Sequence, residues 1–138
     1  MQTHLNHIQF NVSKSNLQFY RDLMTCLGWP VIYNGDDMYG ALGKNGESLW
    51  FSGNVKEIRN DYDGPGMNHI GIGAPAQADV DEAAAFLKAK GVEMLFDTPR
   101  HRPDFSASED QTYYQIMFES PDRILWEVVY TGPKSKQS

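Results

Sequence analysis

Cysteine is nearly absent. Cys26 stands alone in 138 residues, which excludes an intramolecular disulfide framework and any Cys-x-x-Cys motif. It lies late in a helical stretch beside Met24 and Leu27 and reads as a small buried hydrophobe rather than a nucleophile. Basic residues are outnumbered, 12 Lys and Arg against 18 Asp and Glu, for a net charge of −6. An acidic surface repels phosphate backbones, so nucleic acid is not an expected partner. No apolar run approaches the roughly 18 to 20 residues of a membrane-spanning helix, so no membrane partner is expected either. The opening "MQTHLNHIQF" has no basic segment followed by an apolar stretch, and no signal peptide is read there. Together these absences lead to the expectation of a cytoplasmic protein. A phosphate-cradling glycine loop and a Ser-His-Asp set are also missing.

What the chain does have is a repeat. "LNHIQFNV" (5–12) returns as "MNHIGIGA" (67–74), and "SLWFS" (48–52) is echoed by "ILWEV" (124–128). After the first strand, Ser13 or Ser15 is expected to cap a helix carrying Leu17, Tyr20, Leu23, Met24 and Leu27, ended by Gly28. "PVIY", "MYGAL" and "SLWFS" follow as strands. After the second, Asp79 and Glu82 form an expected capping box for a helix over 80–90, ended by Gly91. "VEMLF" reads as a strand, 97–110 as a long loop, and "TYYQIMF" and "ILWEVVY" as the last two strands. The plan is thus βαβββ twice. A single domain over 1–131 is expected, with unit one at 4–53, a linker at 54–66 and unit two at 67–131. A disordered tail is expected over 132–138.

Period-two alternation sorts the strand residues by face. Ile8, Phe10 and Val12, and likewise Ile70 and Ile72, need covering and are assigned to the helix side. His7 and His69 then lie on the helix-free faces. In the last strand Glu127 shares a face with Leu125 and Val129. A carboxylate inside an apolar strand is costly unless paired or metal-bound. Parity allows His7, His69 and Glu127 to meet in one cleft. Two imidazoles and one carboxylate suit one divalent ion, Fe, Mn, Zn, Ni or Co. The competing reading of Glu127 is a salt bridge to Arg100 or Arg102. Gln9, on the His7 face, Asn11 and Trp50 are candidate cleft liners. One of Tyr113 and Tyr114, on neighbouring parities, is expected to face the cleft and hydrogen-bond a substrate oxygen. Arg100, His101 and Arg102 form a loop cluster that could clamp an anion.

These residues resemble the vicinal oxygen chelate superfamily of glyoxalases, extradiol dioxygenases, fosfomycin-resistance enzymes and bleomycin-binding proteins. The motifs that carry the resemblance are His-Ile-x-Phe-x-Val (His7–Val12), Phe-Tyr-Arg-Asp (Phe19–Asp22), Leu-Gly-Trp (Leu27–Trp29) and the closing run from Tyr113 through Pro121-Asp122 to Glu127. Arg123 departs from it, where the family turn usually has Gly. The resemblance implies an α+β fold, two βαβββ units forming an incomplete mixed-sheet barrel around a cleft. It implies metal ligands from the first and last strands, here His7, His69 and Glu127. Aligning the two Leu-Trp doublets sets Phe51 against Glu127, so three protein ligands are expected. It also implies a small-molecule substrate and a homodimer, with Glu127 as the catalytic carboxylate of a lyase, isomerase or dioxygenase; Tyr113 is assigned as the second catalytic group from its place on the strand. The alternative, which the resemblance also covers, is a metal-free small-molecule or antibiotic-binding protein whose cleft is lined by aromatic side chains.

Overall fold

The computed structural model describes residues 1–134. The chain forms two compact units, Met1–Arg59 and Asn60–Ser138. Each runs strand, helix, three strands, so the α+β class and the doubled βαβββ plan are what the chain adopts.

In the first unit β1 (His7–Asn11) leads to α1 (Leu17–Cys26), β2 (Val31–Asn34), β3 (Met38–Leu42) and β4 (Ser48–Ser52). Leu17, Tyr20, Leu23 and Met24 recur at helical spacing and bury one stripe of α1. The helix stops at Gly28, whose φ of +79° suits glycine; across it Trp29 N–H bonds to the Met24 carbonyl at 2.9 Å. The sheet order is β1-β4-β3-β2, with β1 parallel to β4 and the other pairs antiparallel. Phe51 is the centre of this core, 5.2 Å from Phe10, 4.7 Å from Tyr20 and 6.0 Å from Tyr39 between ring centroids. That places α1 on the Phe10 face of the sheet and leaves the His7 face without a helix.

The second unit repeats this with β5 (His69–Gly73), α2 (Gln77–Ala89), β6 (Arg100–His101), β7 (Gln111–Glu119) and β8 (Leu125–Pro133), in the order β5-β8-β7-β6. Val80, Ala83, Ala84 and Leu87 make the buried stripe of α2. Ile70, Ile72, Ile116, Phe118, Trp126 and Val128 are buried with them.

Local details depart from the pattern. A 3-10 turn, Lys14–Asn16, precedes α1, and Ser13 makes no side-chain cap. α2 starts at Gln77 with Ala76 at the N-cap, so Asp79 is no capping box. Its N–H already bonds to the Ala76 carbonyl at 3.1 Å. Asp79 sits in the first turn, where a negative charge favours the helix dipole. "VEMLF" is not a strand: only Met94 bridges Phe118. Phe96 and Asp97 then take left-handed φ values of 56° and 57° and turn the chain. The edge strand forms later, as β6 inside the stretch expected to be a loop. β8 runs to Pro133, paired with Gln111, past the start of the expected tail. The part of that tail at 135–138 lies outside the described residues. Among the described residues no helix is long and apolar enough to cross a membrane.

Candidate functional site

The polar chemistry of the second unit gathers on the helix-free face of its sheet. Strand pairing sets Gly71 opposite Glu127 and Met117 opposite Glu127. Residues two apart share a face. His69, Gly71 and Gly73 of β5, Glu127 of β8, and Tyr113, Gln115 and Met117 of β7 therefore point the same way. Glu127 is 5% exposed, and both carboxylate oxygens are engaged. Tyr113 Oη donates to Oε1 at 2.8 Å, and Gln115 Nε2 donates to Oε2 in a short hydrogen bond. The Gln115 Oε1 accepts in turn from Arg102 Nη1 at 3.2 Å. Arg102 pairs with Asp104 at 3.0 Å and lies 4.6 Å from the Phe105 ring centroid, and Phe105 packs edge-on against Tyr113 at 5.4 Å. The buried carboxylate is thus tied through an amide to a guanidinium at the surface.

This network sets its own protonation. Burial, then the hydrogen bond to Glu127, pushes the Tyr113 phenol up to about 12, so it keeps its proton and acts as a donor at neutral pH. The Arg102 hydrogen bond holds the Asp104 carboxyl below its ordinary value, and Asp104 raises Arg102.

The remaining loop and strand candidates part company. His101 pairs across from Tyr114, on the other face, and its Nδ1 lies 2.6 Å from Thr112 Oγ1. Tyr114 donates to Asp81 of α2 at 2.5 Å, away from Glu127. Arg100 is opposite Gln115 but exposed. Of the Arg100–His101–Arg102 cluster, Arg102 alone joins the Glu127 network. The direct salt bridge weighed for Glu127 is replaced by a link through Gln115, which the sequence reading did not single out. Its signal was present: a polar residue two positions from Tyr113, directly ahead of the apolar run 116–118.

In the first unit His7, Gln9 and Asn11 are exposed on the helix-free face of β1. Gln9 Nε2 donates to Asn11 Oδ1 at 3.3 Å, and Trp50, opposite Gln9, donates from Nε1 to Ser48 Oγ at 2.9 Å. The Trp50 ring lies over Gly40, where an added Cβ would come within 2.7 Å of it. One expectation needs correcting here. Pairing sets Gln9 against Trp50 just as Gly71 pairs with Glu127, so Trp50, not Phe51, matches Glu127. The shared Leu-Trp doublets are out of structural register by one residue, and a slip of one flips every side chain to the other face. Phe51 is on the core side, and the conclusion that this position offers no ligand stands with Trp50 in its place.

Both repeat histidines carry the same local bond. His7 Nδ1 lies 2.7 Å from Asn6 Oδ1, and His69 Nδ1 lies 2.8 Å from Asn68 Oδ1. Among the described residues no three His, Cys, Asp or Glu side chains are grouped as a metal set. The second unit by itself brings two such groups, His69 and Glu127, to one face. Beside them Gly71 leaves room, since an added Cβ would stand 3.3 Å from Glu127 Oε1.

Comparison with known proteins agrees with this architecture. No curated protein matches the chain. A solved structure from Bacillus halodurans, provisionally assigned as a glyoxalase, is 22% identical with a TM-score of 0.74, covering 94% of this chain and 96% of that one. A glyoxalase/bleomycin resistance protein from Albidiferax ferrireducens is 18% identical with a TM-score of 0.70, covering 91% and 98%. The fosfomycin resistance protein FosX from Listeria monocytogenes, solved with Mn(II) and sulfate, is 24% identical with a TM-score of 0.65, covering 94% and 91%. These likenesses speak for the fold. The family model of the Glyoxalase/Bleomycin resistance protein/Dioxygenase superfamily matches residues 4–128, and the chain belongs to that superfamily.

Proposed function

We propose that the chain is a divalent-metal-dependent enzyme acting on a small oxygen-bearing substrate, with His7, His69 and Glu127 as the metal ligands. The observation that carries this reading is Glu127, a carboxylate 5% exposed on the same sheet face as His69, with glycine beside it. The donor set suits a borderline divalent ion, and the space at Gly71 is space that a side chain would otherwise fill. His7 is the third ligand by its matching place in the repeat. A bound ion would supply Lewis-acid stabilisation of negative charge on substrate oxygens. FosX has been crystallised with Mn(II), which makes Mn(II) the first ion to test among Fe, Mn, Zn, Ni and Co.

The chain's own residues supply the rest. Gln115 holds Glu127 in one orientation. Tyr113, its proton retained, offers a hydrogen bond to a substrate oxygen in place of Glu127 Oε1. A proton at a carbon next to a carbonyl would pass to Glu127, the carboxylate on this face. Arg102, exchanging Asp104 for substrate, is suited to an anionic group such as a carboxylate or phosphonate. A variant of FosX has been solved with Mn(II) and 1S,2S-dihydroxypropylphosphonic acid, a ligand of this kind.

The test is metal content after reconstitution with each of the five ions, in wild type, His69→Ala and Glu127→Gln. One ion per chain in wild type, with binding weakened in both variants, is expected. No uptake of any ion would sink the metal reading. The alternative then stands, a metal-free small-molecule binder. It is favoured by one specific observation: Tyr113 and Gln115 already satisfy both oxygens of Glu127 without a cation.

A further inference from the structure

Asn68 precedes His69, and its side-chain amide is oriented from a second side. Its Nδ2 donates to the Tyr62 carbonyl at 3.1 Å, while Oδ1 stands 2.8 Å from His69 Nδ1. A backbone carbonyl only accepts, so the amide nitrogen must face Tyr62 and the amide oxygen must face the imidazole. An amide oxygen only accepts too. His69 Nδ1 must then carry a proton, and in the neutral ring Nε2 is left with its lone pair. This settles the tautomer by donor and acceptor logic rather than by where hydrogens were drawn.

Tyr62 is itself held. Its hydroxyl donates to Glu119 Oε2 at 3.3 Å, and the Arg123 guanidinium lies 5.6 Å from its ring centroid. Arg123 pairs with Glu119 at 3.6 Å, and its carbonyl accepts from Asn60 Nδ2 at 2.8 Å. Arg123 does this from a left-handed backbone, φ 56°, where a glycine would be less strained. A glycine there would have neither the guanidinium over Tyr62 nor the ion pair. Asn6 makes the matching bond to His7 but has no comparable carbonyl anchor among the described residues.

We propose that Asn68, anchored by Tyr62 and through it by Arg123 and Glu119, is a positioning residue that locks His69 in the Nδ1–H tautomer and so presents Nε2 as an electron-pair donor. An imidazole in water prefers the opposite tautomer, so the lock has work to do. The role assigned to Nε2 rests on the metal reading above; the tautomer does not.

The test is long-range proton–nitrogen NMR on metal-free protein labelled with ¹⁵N-histidine, about two units above the ordinary imidazole pKa of about 6.5. Wild type is expected to show His69 as Nδ1–H. Asn68→Ala is expected to shift it to Nε2–H or a mixture, and Asn68→Asp, which keeps an acceptor at Nδ1, to retain Nδ1–H. Backbone amide spectra check that each variant is folded. In parallel, Asn68→Ala is expected to bind Mn(II) about 10- to 100-fold more weakly, the usual effect of removing an outer-shell partner of a metal-ligating histidine. Nε2–H in wild type, or an unchanged tautomer in Asn68→Ala, overturns the lock. A changed tautomer with unchanged Mn(II) affinity overturns its positioning role. Failure of wild type to take up Mn(II) or any of the other ions overturns the metal reading instead, and the apo tautomer still decides whether the lock exists.

Discussion

Replacing Gln115 by Leu tests whether Glu127 is a charge held in place by its neighbours. Gln115 is 2% exposed and Glu127 5%, so water cannot take over a lost partner. Leucine approximates the volume of glutamine and brings no polar atom. The change removes the donor to Glu127 Oε2 and the acceptor of Arg102 Nη1 at 3.2 Å. A hydrogen bond to a charged group is worth about 1.5–3 kcal/mol, and a buried group left unpartnered adds to the loss. The Arg102 side contributes little, because Arg102 keeps Asp104 as a solvent-screened surface partner at 3.0 Å. We expect a loss of about 2–3 kcal/mol, mostly from the carboxylate. Urea unfolding followed through Trp126, fully buried in the same unit, reads it directly. A double-mutant cycle with Glu127→Leu assigns the cause. Once the carboxylate is gone the Gln115→Leu change should cost far less, leaving a coupling of at least about 1.5 kcal/mol. A single-variant loss below about 0.5 kcal/mol, or strict additivity in the cycle, refutes the argument.

The Tyr113 and Tyr114 phenols, each raised to about 12 by burial first and by a carboxylate partner second, should ionise late in an alkaline titration followed by tyrosinate absorbance. Because the folded values lie above the unfolded value of about 10, the stability these groups contribute is complete below pH 10 and is lost as pH rises towards 12. Tyr113→Phe should remove one late step; a Tyr113 that titrates with the exposed phenols contradicts the geometry. Gly71→Ala places a Cβ 3.3 Å from Glu127 Oε1, so metal affinity should fall while stability stays within about 1 kcal/mol of wild type; unchanged affinity by calorimetry would remove Gly71 from the site. A homodimer is expected at micromolar concentration, since β2 is an edge strand with Val31, Ile32 and Tyr33 all exposed; a monomer in sedimentation velocity refutes it.

The fold was legible because its signals are local and periodic. Alternation at 7–12 and 69–74 separates the histidines from the isoleucines, and the helical stripes at Leu17–Met24 and Val80–Leu87 identify the covered faces. The misses share a cause: each depended on backbone conformation that side-chain type does not encode. Phe96 is not a residue from which left-handed φ is expected, yet together with Asp97 it ends the run that looked like a strand. Asp79 has the right chemistry for an N-cap and sits three residues too late. On the site side, parity put Tyr113 or Tyr114 beside Glu127 without choosing, and the pairing of β7 with β8 chooses Tyr113. Gln115 was signalled only by its polarity and Asn68 not at all, because what they hold, Glu127 and the Tyr62 carbonyl, is distant in sequence or a backbone atom.

The doublet Leu-Trp shows how a repeat can mislead about chemistry while being right about architecture. Both units keep the same strand order, and in both the residue two after the histidine faces the last strand at a position of interest. In the first unit that pair is Gln9 with Trp50, and the face is filled by side chains bonded to one another. In the second it is Gly71 with Glu127, and β5 carries no side chain on that face at Gly71 and Gly73. Glycine is a poor strand residue, since it is destabilising by roughly 0.5–1 kcal/mol relative to alanine. At Gly73 no neighbouring atom lies within 4 Å of an added Cβ, so packing does not require that glycine, whereas at Gly71 an added Cβ would crowd Glu127 Oε1 at 3.3 Å. What the two glycines leave out is any side chain on β5 beside the carboxylate. Under the proposed function, the divergence between the halves, more than their likeness, favours the second unit as the carrier of acid–base chemistry, and the first keeps a histidine, amides and an indole on its helix-free face.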